Sequence, residues 1–170
     1  MKFFNLFCMG LMLSGCAFTA CENGERNSYE TPSKMKVESI DSNEYIQLLI
    51  FTVNARDWRK LSSTDLYVDA SIPAVTNEII KEGSVIVYLN EAGKNLSLPF
   101  TYYQVRRALS FQPSYEEGHV YINILGNFIL SASTTYTFKI LIIQGKGLKK
   151  FKGVNWYNYD DVKTALNLMT

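Results

Sequence analysis

Apolar residues in this chain recur mostly at every second position, the period of a strand with one face buried. In Asp65–Ile72, Leu66, Val68, Ala70 and Ile72 alternate with Tyr67, Asp69 and Ser71. Pro73 cannot donate to a ladder and ends that strand. The alternation returns in Ser84–Asn90, with Val85, Val87 and Leu89 on one face and Ile86 and Tyr88 on the other, and in His119–Leu125 through Val120, Ile122 and Ile124. Two runs are apolar on both faces, EYIQLLIFTVN at Glu44–Asn54 and TTYTFKILIIQ at Thr134–Gln144. Such runs suit strands buried in the middle of a fold, and the second, the most strongly β-patterned in the chain, is expected to be central.

The stretch Ile72–Phe100 is expected to set the order of these strands. Thr76 predicts an N-cap for a short helical turn over 76–82, with Ile79 and Ile80 inward and Gly83 as the stop. Glu91-Ala92-Gly93-Lys94 predicts a hairpin turn in which Gly93 supplies a positive φ. Leu96–Tyr103 returns and bends at Pro99, which places it at an edge or a bulge. Arg106–Gln112 reads as a further short strand, Pro113–Gly118 as a polar turn and Gly145–Gly153 as a lysine-rich loop. Trp58 is expected to plug one end of the core. Near the end, Asn158 caps a helix with Asp160 and Asp161 in its first turn and Val162, Ala165 and Leu166 as an apolar stripe. About seven closely spaced strands without alternating long helices predict an all-β, antiparallel two-sheet sandwich over 44–170.

Before position 44 the pattern is different. Residues 1–21, MKFFNLFCMGLMLSGCAFTAC, carry one lysine, an apolar run too short to span a bilayer, and small residues beside cysteine, which marks a secretory signal. Leu13-Ser14-Gly15-Cys16 resembles the lipobox of bacterial lipoproteins, in which the cysteine is acylated. Phe18-Thr19-Ala20-Cys21 is the alternative, with Phe where Leu is preferred. Residues 22–43 are polar and without sustained periodicity, as expected of a flexible tether. The expected partner is therefore a membrane, through a lipid anchor, and the expected location the outer membrane of a Gram-negative bacterium, facing outward.

Composition narrows the function classes. All three cysteines, Cys8, Cys16 and Cys21, lie in the signal-like segment, leaving the rest without a disulfide framework, a thiol nucleophile or a cysteine metal site. The formal net charge is +1, and removal of Lys2 with the signal brings it to zero. That balance speaks against nucleic acid as a partner. Aromatic residues make up 14% of the chain, led by tyrosine, which agrees with β structure.

Several local patterns recur together in one group of proteins. They are Trp58, Ile-Pro-x-x-Thr-x-Glu-Ile-Ile at Ile72–Ile80, Gly-x-Val-x-Val-Tyr at Gly83–Tyr88, Leu98-Pro99, Phe-x-x-x-Ile-Ile at Phe138–Ile143 and Asn-Tyr-Asp-x-Val-Lys at Asn158–Lys163. In these the chain resembles small Bacteroides-type lipoproteins. The resemblance implies an Ig-like sandwich on a lipidated stem, and it implies no activity or cofactor.

Candidate chemistry is sparse. His119, the single histidine, lacks a nucleophile elbow and gives little for a metal. Glu116/Glu117 and Asp160/Asp161 are adjacent pairs whose side chains diverge, unlike the opposed carboxyls of a glycosidase. No catalytic set emerges, and a non-enzyme is expected. Lys146, Lys149, Lys150 and Lys152 are candidate anion contacts, weighed against a solvated loop. Trp156, Tyr157 and Tyr159, with Tyr102 and Tyr103 as a second group, are candidate binding rings, for a glycan or another envelope protein, weighed against burial in the core.

Overall fold

A computed structural model describes residues 37–42, 44–131 and 133–166, so residues 1–21, with Cys16 and Cys21, and most of the stretch read as tether lie outside the described residues. Among the described residues ten strands form two antiparallel sheets of five. The first sheet has the order β1 (Val37–Ser42), β2 (Ile46–Val53), β10 (Tyr136–Ile143), β5 (Ser84–Glu91) and β6 (Lys94–Ser97). The second runs β3 (Arg59–Lys60), β4 (Asp65–Ser71), β9 (His119–Gly126), β8 (Arg107–Glu116) and β7 (Phe100–Gln104). Short helices follow β4, as α1 (Asn77–Glu82), and β10, as α2 (Gly145–Lys150) and α3 (Tyr159–Leu166). The all-β two-sheet sandwich read from the periodicity is the observed architecture. Among the described residues no helix is long and apolar enough to cross a membrane.

β10 is central, as its pattern predicts, and its register explains why both its faces are apolar. Phe138 lies between Phe51 and Leu89, and Ile140 between Leu49 and Val87, all facing the second sheet. Leu141, between Leu48 and Ile86, and Ile143, beside Ile46, face the other way. That outer face is covered by the C-terminal segment: Tyr159 and Val162 of α3 are buried on it, and Leu148, Phe151 and Trp156 pack at its margin. Each such side chain contributes about 1.5–3 kcal/mol on full burial, so the cover is a second core. Tyr88 belongs to it. Its hydroxyl donates to the Trp156 carbonyl, and burial, with Tyr159 and Tyr157 nearby, raises its pKa.

Several expectations change in detail. The domain begins earlier than residue 44, because Val37–Ser42 pairs with β2 across a register shift; with few apolar residues, an edge strand leaves little periodic signal. Among the described residues the strand count is ten rather than about seven, since β1 and the two-residue β3 are added and the bend at Pro99 divides one run. β6 pairs with β5 in one sheet and β7 with β8 in the other, so the chain changes sheets at Leu98-Pro99, whose peptide is cis. β8 continues through Pro113 to Glu116, where a polar turn was expected. Beyond Phe111 it has only β9 as a neighbour, so a proline facing the open edge removes no ladder bond. Ile80 is exposed, not inward.

The lysine-rich segment is a helix rather than a loop. Its glycines permit close packing: a Cβ at Gly147 would lie 3.0 Å from Tyr45 Cβ, and one at Gly145 2.6 Å from the Glu82 carbonyl oxygen. Gly83 has a similar role. It ends α1 in extended backbone at φ −100°, not in the left-handed conformation expected of a stop. Thr76 caps α1 as anticipated, accepting from the Ile79 amide at 3.3 Å.

A Cβ at Gly83 would lie 2.3 Å from the Ile143 carbonyl oxygen, against backbone that cannot rotate away. Gly83→Ala is therefore expected to cost about 1–3 kcal/mol, read as a lowered urea midpoint. An unchanged midpoint would mean that β5 and β10 are not in close register at this end.

Candidate functional site

The sheet crossing at Leu98-Pro99 leads into a cleft between two hairpins. There one chain joins the sheets, but from that corner β6 leads back to the Ala92-Gly93 hairpin of the first sheet and β7 leads on to the Val105-Arg106 hairpin of the second. Glu91, at the end of β5, and Gln104 and Arg107, at the second hairpin, line the same opening of about 210 Å³. Tyr102, Leu109, Phe111, Phe128 and Tyr136 form its walls.

Local geometry fixes the two hairpins. Ala92 and Gly93 both have positive φ, 49° and 77°, as a tight two-residue turn requires; Gly93 was expected there, Ala92 was not. Arg106 is left-handed at φ 65°, and Asn127 clamps it: the side-chain oxygen accepts from the Ala108 amide at 2.8 Å and the side-chain nitrogen donates to the Arg106 carbonyl at 3.1 Å. This clamp also draws in the β9–β10 connection, from which Phe128 closes one side of the cleft. The Arg107 guanidinium lies 5.0 Å from the Phe128 ring centroid.

Deeper in, the rings meet edge to face. Tyr102 packs on Phe100 at 4.7 Å and on Phe111 at 6.1 Å, and Phe111 packs on Tyr136 at 5.2 Å. Such pairs add about 0.5–1.5 kcal/mol each beyond burial and hold the walls rigid. Trp58, buried as expected, meets Tyr136 at 5.9 Å and 89°. Two polar atoms in this layer are buried without a hydrogen-bond partner, Trp58 Nε1 and the Tyr102 hydroxyl. Trp58 borders a pocket of about 40 Å³ with Ser133 and Thr134, while Tyr102 borders the cleft. Burial raises the pKa of Tyr136, against a hydrogen bond with Thr134 that lowers it.

A second opening, of about 280 Å³, lies at the other end of β10 and is lined by Tyr45, Thr76, Glu78 and Gln144, among others. Its one charged residue is Glu78, and the ring of Tyr45 already carries Lys150 Nζ at 4.8 Å from its centroid. It offers no opposed charges, and Tyr45 is the one ring in its lining.

The residues expected from the sequence divide between two places. Tyr102 lies in the cleft; Tyr103, its neighbour on β7, is 81% exposed, and Tyr102 is half-buried. Trp156 packs edge-on against Phe151 at 6.4 Å on the outer side of the first sheet. Tyr157 is 67% exposed beside it. Tyr159 is buried against Tyr88 at 5.1 Å, and Lys139 Nζ is 3.0 Å from its hydroxyl, so it offers no exposed ring. The two aromatic groups therefore form no common platform. Lys146, Lys149, Lys150 and Lys152 are all exposed on α2 and the turn after it, with Lys150 Nζ over the ring of Tyr45.

The remaining polar groups sit on the solvent face of the second sheet. His119 Nδ1 meets Asp69 Oδ1 at 2.8 Å, its ring stacks on Tyr121, and the Tyr121 hydroxyl donates to Glu116. That hydrogen bond pushes the pKa of Tyr121 up to about 12. Among the described residues no group of three or more His, Cys, Asp or Glu side chains is placed to hold a metal ion. The sequence marks none of Glu91, Gln104, Arg107, Phe128 and Tyr136 as a site residue, and Glu91 only as part of a hairpin turn; they are scattered over 46 positions, and no local motif links them. No family model matches this chain, and no curated protein or solved structure matches it either.

A buried hydroxyl without a partner contributes nothing to the fold, so its removal is cheap. Tyr102→Phe is expected to leave the unfolding midpoint unchanged or to raise it, by at most about 1 kcal/mol. A loss of more than that would reveal a hydrogen bond made in solution.

Proposed function

We propose that the chain is a lipid-anchored, non-catalytic binding module of the bacterial cell envelope, held at the outer membrane through Cys16, or through Cys21 in its place, and facing outward. The anchor is supported by the signal-like first 21 residues and the Leu13-Ser14-Gly15-Cys16 sequence, and by the resemblance to small Bacteroides-type lipoproteins. The binding role is carried by one observation, the cleft between the two hairpins with aromatic walls and opposed charges at its mouth. Concave, mostly apolar openings with a few convergent polar groups are the usual form of ligand sites. The groups facing it are one carboxylate, a guanidinium and an amide, and the second, opposed carboxyl that glycoside hydrolysis uses is not among the lining residues. The Asp69–His119 pair lies on the opposite face of its sheet, where a solvated cross-strand contact accounts for it.

Metabolic labelling with a palmitate analogue tests the anchor. Wild-type protein is expected to incorporate label and to be cleaved, whereas Cys16→Ser abolishes both and Cys21→Ser neither. The reverse pattern moves the anchor to Cys21. Label that is absent from wild type, or that survives both substitutions together, contradicts a lipoprotein. Protease treatment of intact cells is expected to degrade the domain, and full protection would place it on the periplasmic side.

A further inference from the structure

We infer that the cleft between the Ala92-Gly93 and Val105-Arg106 hairpins binds one neutral sugar ring, presented at an end or branch of a glycan. The inference rests on the binding-module reading above and gives it a ligand class.

Size comes first. Pockets for drug-sized ligands span about 300–1,000 Å³, and this one holds about 210 Å³. That is room for a single six-membered ring, not for a folded oligosaccharide. Glu91, Gln104 and Arg107 at its mouth are all exposed, so a chain attached to the bound ring can continue into solvent.

Shape and polarity come next. Tyr136 offers aromatic surface of the kind on which the C–H face of a pyranose packs, and Phe128, with the Arg107 guanidinium against its ring, closes the side of the cleft. The polar groups are mixed: Glu91 only accepts, Arg107 only donates, and Gln104 does both. Glu91 and Arg107 carry opposite charges and make no ion pair with each other, so the cleft has no net charge for an ion to answer. An anion would be attracted by Arg107 and repelled by Glu91, and a cation the reverse. A ring of hydroxyls, each both donor and acceptor, meets both groups at once. The Tyr102 hydroxyl beside the cleft is buried without a partner, and buried polar groups in folded proteins are nearly always paired. A ligand hydroxyl completes the hydrogen bonding of Tyr102 if the side chains that cover it part on binding.

Saturation-transfer NMR tests this, using the full lipidated chain in a detergent without a sugar head group. The probes are methyl glycosides of neutral hexoses and deoxyhexoses, with uronic acids and hexosamines alongside. At least one neutral glycoside is expected to receive saturation, strongest at the protons of one ring face, with a dissociation constant of about 1 mM. Arg107→Ala and Glu91→Ala are each expected to weaken it about tenfold. Tyr102→Phe weakens it without lowering the unfolding midpoint, and Tyr157→Ala leaves it unchanged. Binding of uronic acids alone, lost in Arg107→Ala and kept in Glu91→Ala, overturns the ligand class. A signal lost in Tyr157→Ala and kept in Arg107→Ala overturns the site. No transfer from any neutral glycoside overturns the inference altogether. The broader reading is judged separately, by photo-crosslinking from position 105 on intact cells: an envelope protein captured there keeps a binding module without the sugar, and no capture with no glycan signal removes both.

Discussion

The first sheet has no face to give to water, and most of the structure follows from that constraint. β10 presents Phe138, Ile140 and Ile142 to the space between the sheets and Leu141 and Ile143 to the other side. Its neighbours β2 and β5 match it row for row. A sheet with two apolar faces needs two covers. The second sheet supplies one, through Leu66, Val68, Phe111, Val120 and Ile122. The C-terminal segment supplies the other, and the glycines of α2 let its backbone settle against the end of β10.

The cleft follows from how the same core is closed at its margin. β6 and β7 are one stretch of chain divided at Leu98-Pro99, so the sheets are joined at that corner and free to part beyond it. The two hairpins that end there keep charged and amide side chains at their rims, while aromatic rings fill the wedge between the sheets. Those rings pack edge to face and give the opening fixed walls. The strained turn at Arg106 is held by Asn127, whose two hydrogen bonds tie the rim of the cleft to the β9–β10 connection. Stability is thus concentrated in the first sheet, and the groups free to meet a ligand lie at the hairpin ends.

The strands with a strong period could be read from the sequence because burial dictates it. β4, β5, β9 and β10 each repeat the alternation their faces require, and Thr76 and Asn158 mark helix starts through the side-chain bonds they make. Weakly buried strands were harder. β1 has too few apolar residues to announce itself, and β8 contains a proline that reads as a turn until the open edge beside it is known. Gly145 and Gly147 look like loop residues because glycine serves both freedom and close approach, and only the neighbours Glu82 and Tyr45 distinguish the two. The cleft was the least legible feature. Tyr102 was singled out for its ring, but Glu91, Arg107 and Phe128 become neighbours only through the sheet crossing, a long-range event that no local spacing records.

Hydrogen exchange resolved by residue tests the central claim, that the doubly covered first sheet is the stable frame and the hairpin rim its soft margin. Backbone amides open at free energies ranging from near zero in mobile loops to the global value in the core. The amides of Phe138–Ile143, with their partners on β2 and β5, are expected to exchange last and together, at the rate set by global unfolding. Those of Val105 and Arg106 are expected to exchange first among the strand-linked residues. The account is contradicted if the β10 amides exchange before those of β8 and β9, because the covered sheet would then not be the frame on which the cleft is built.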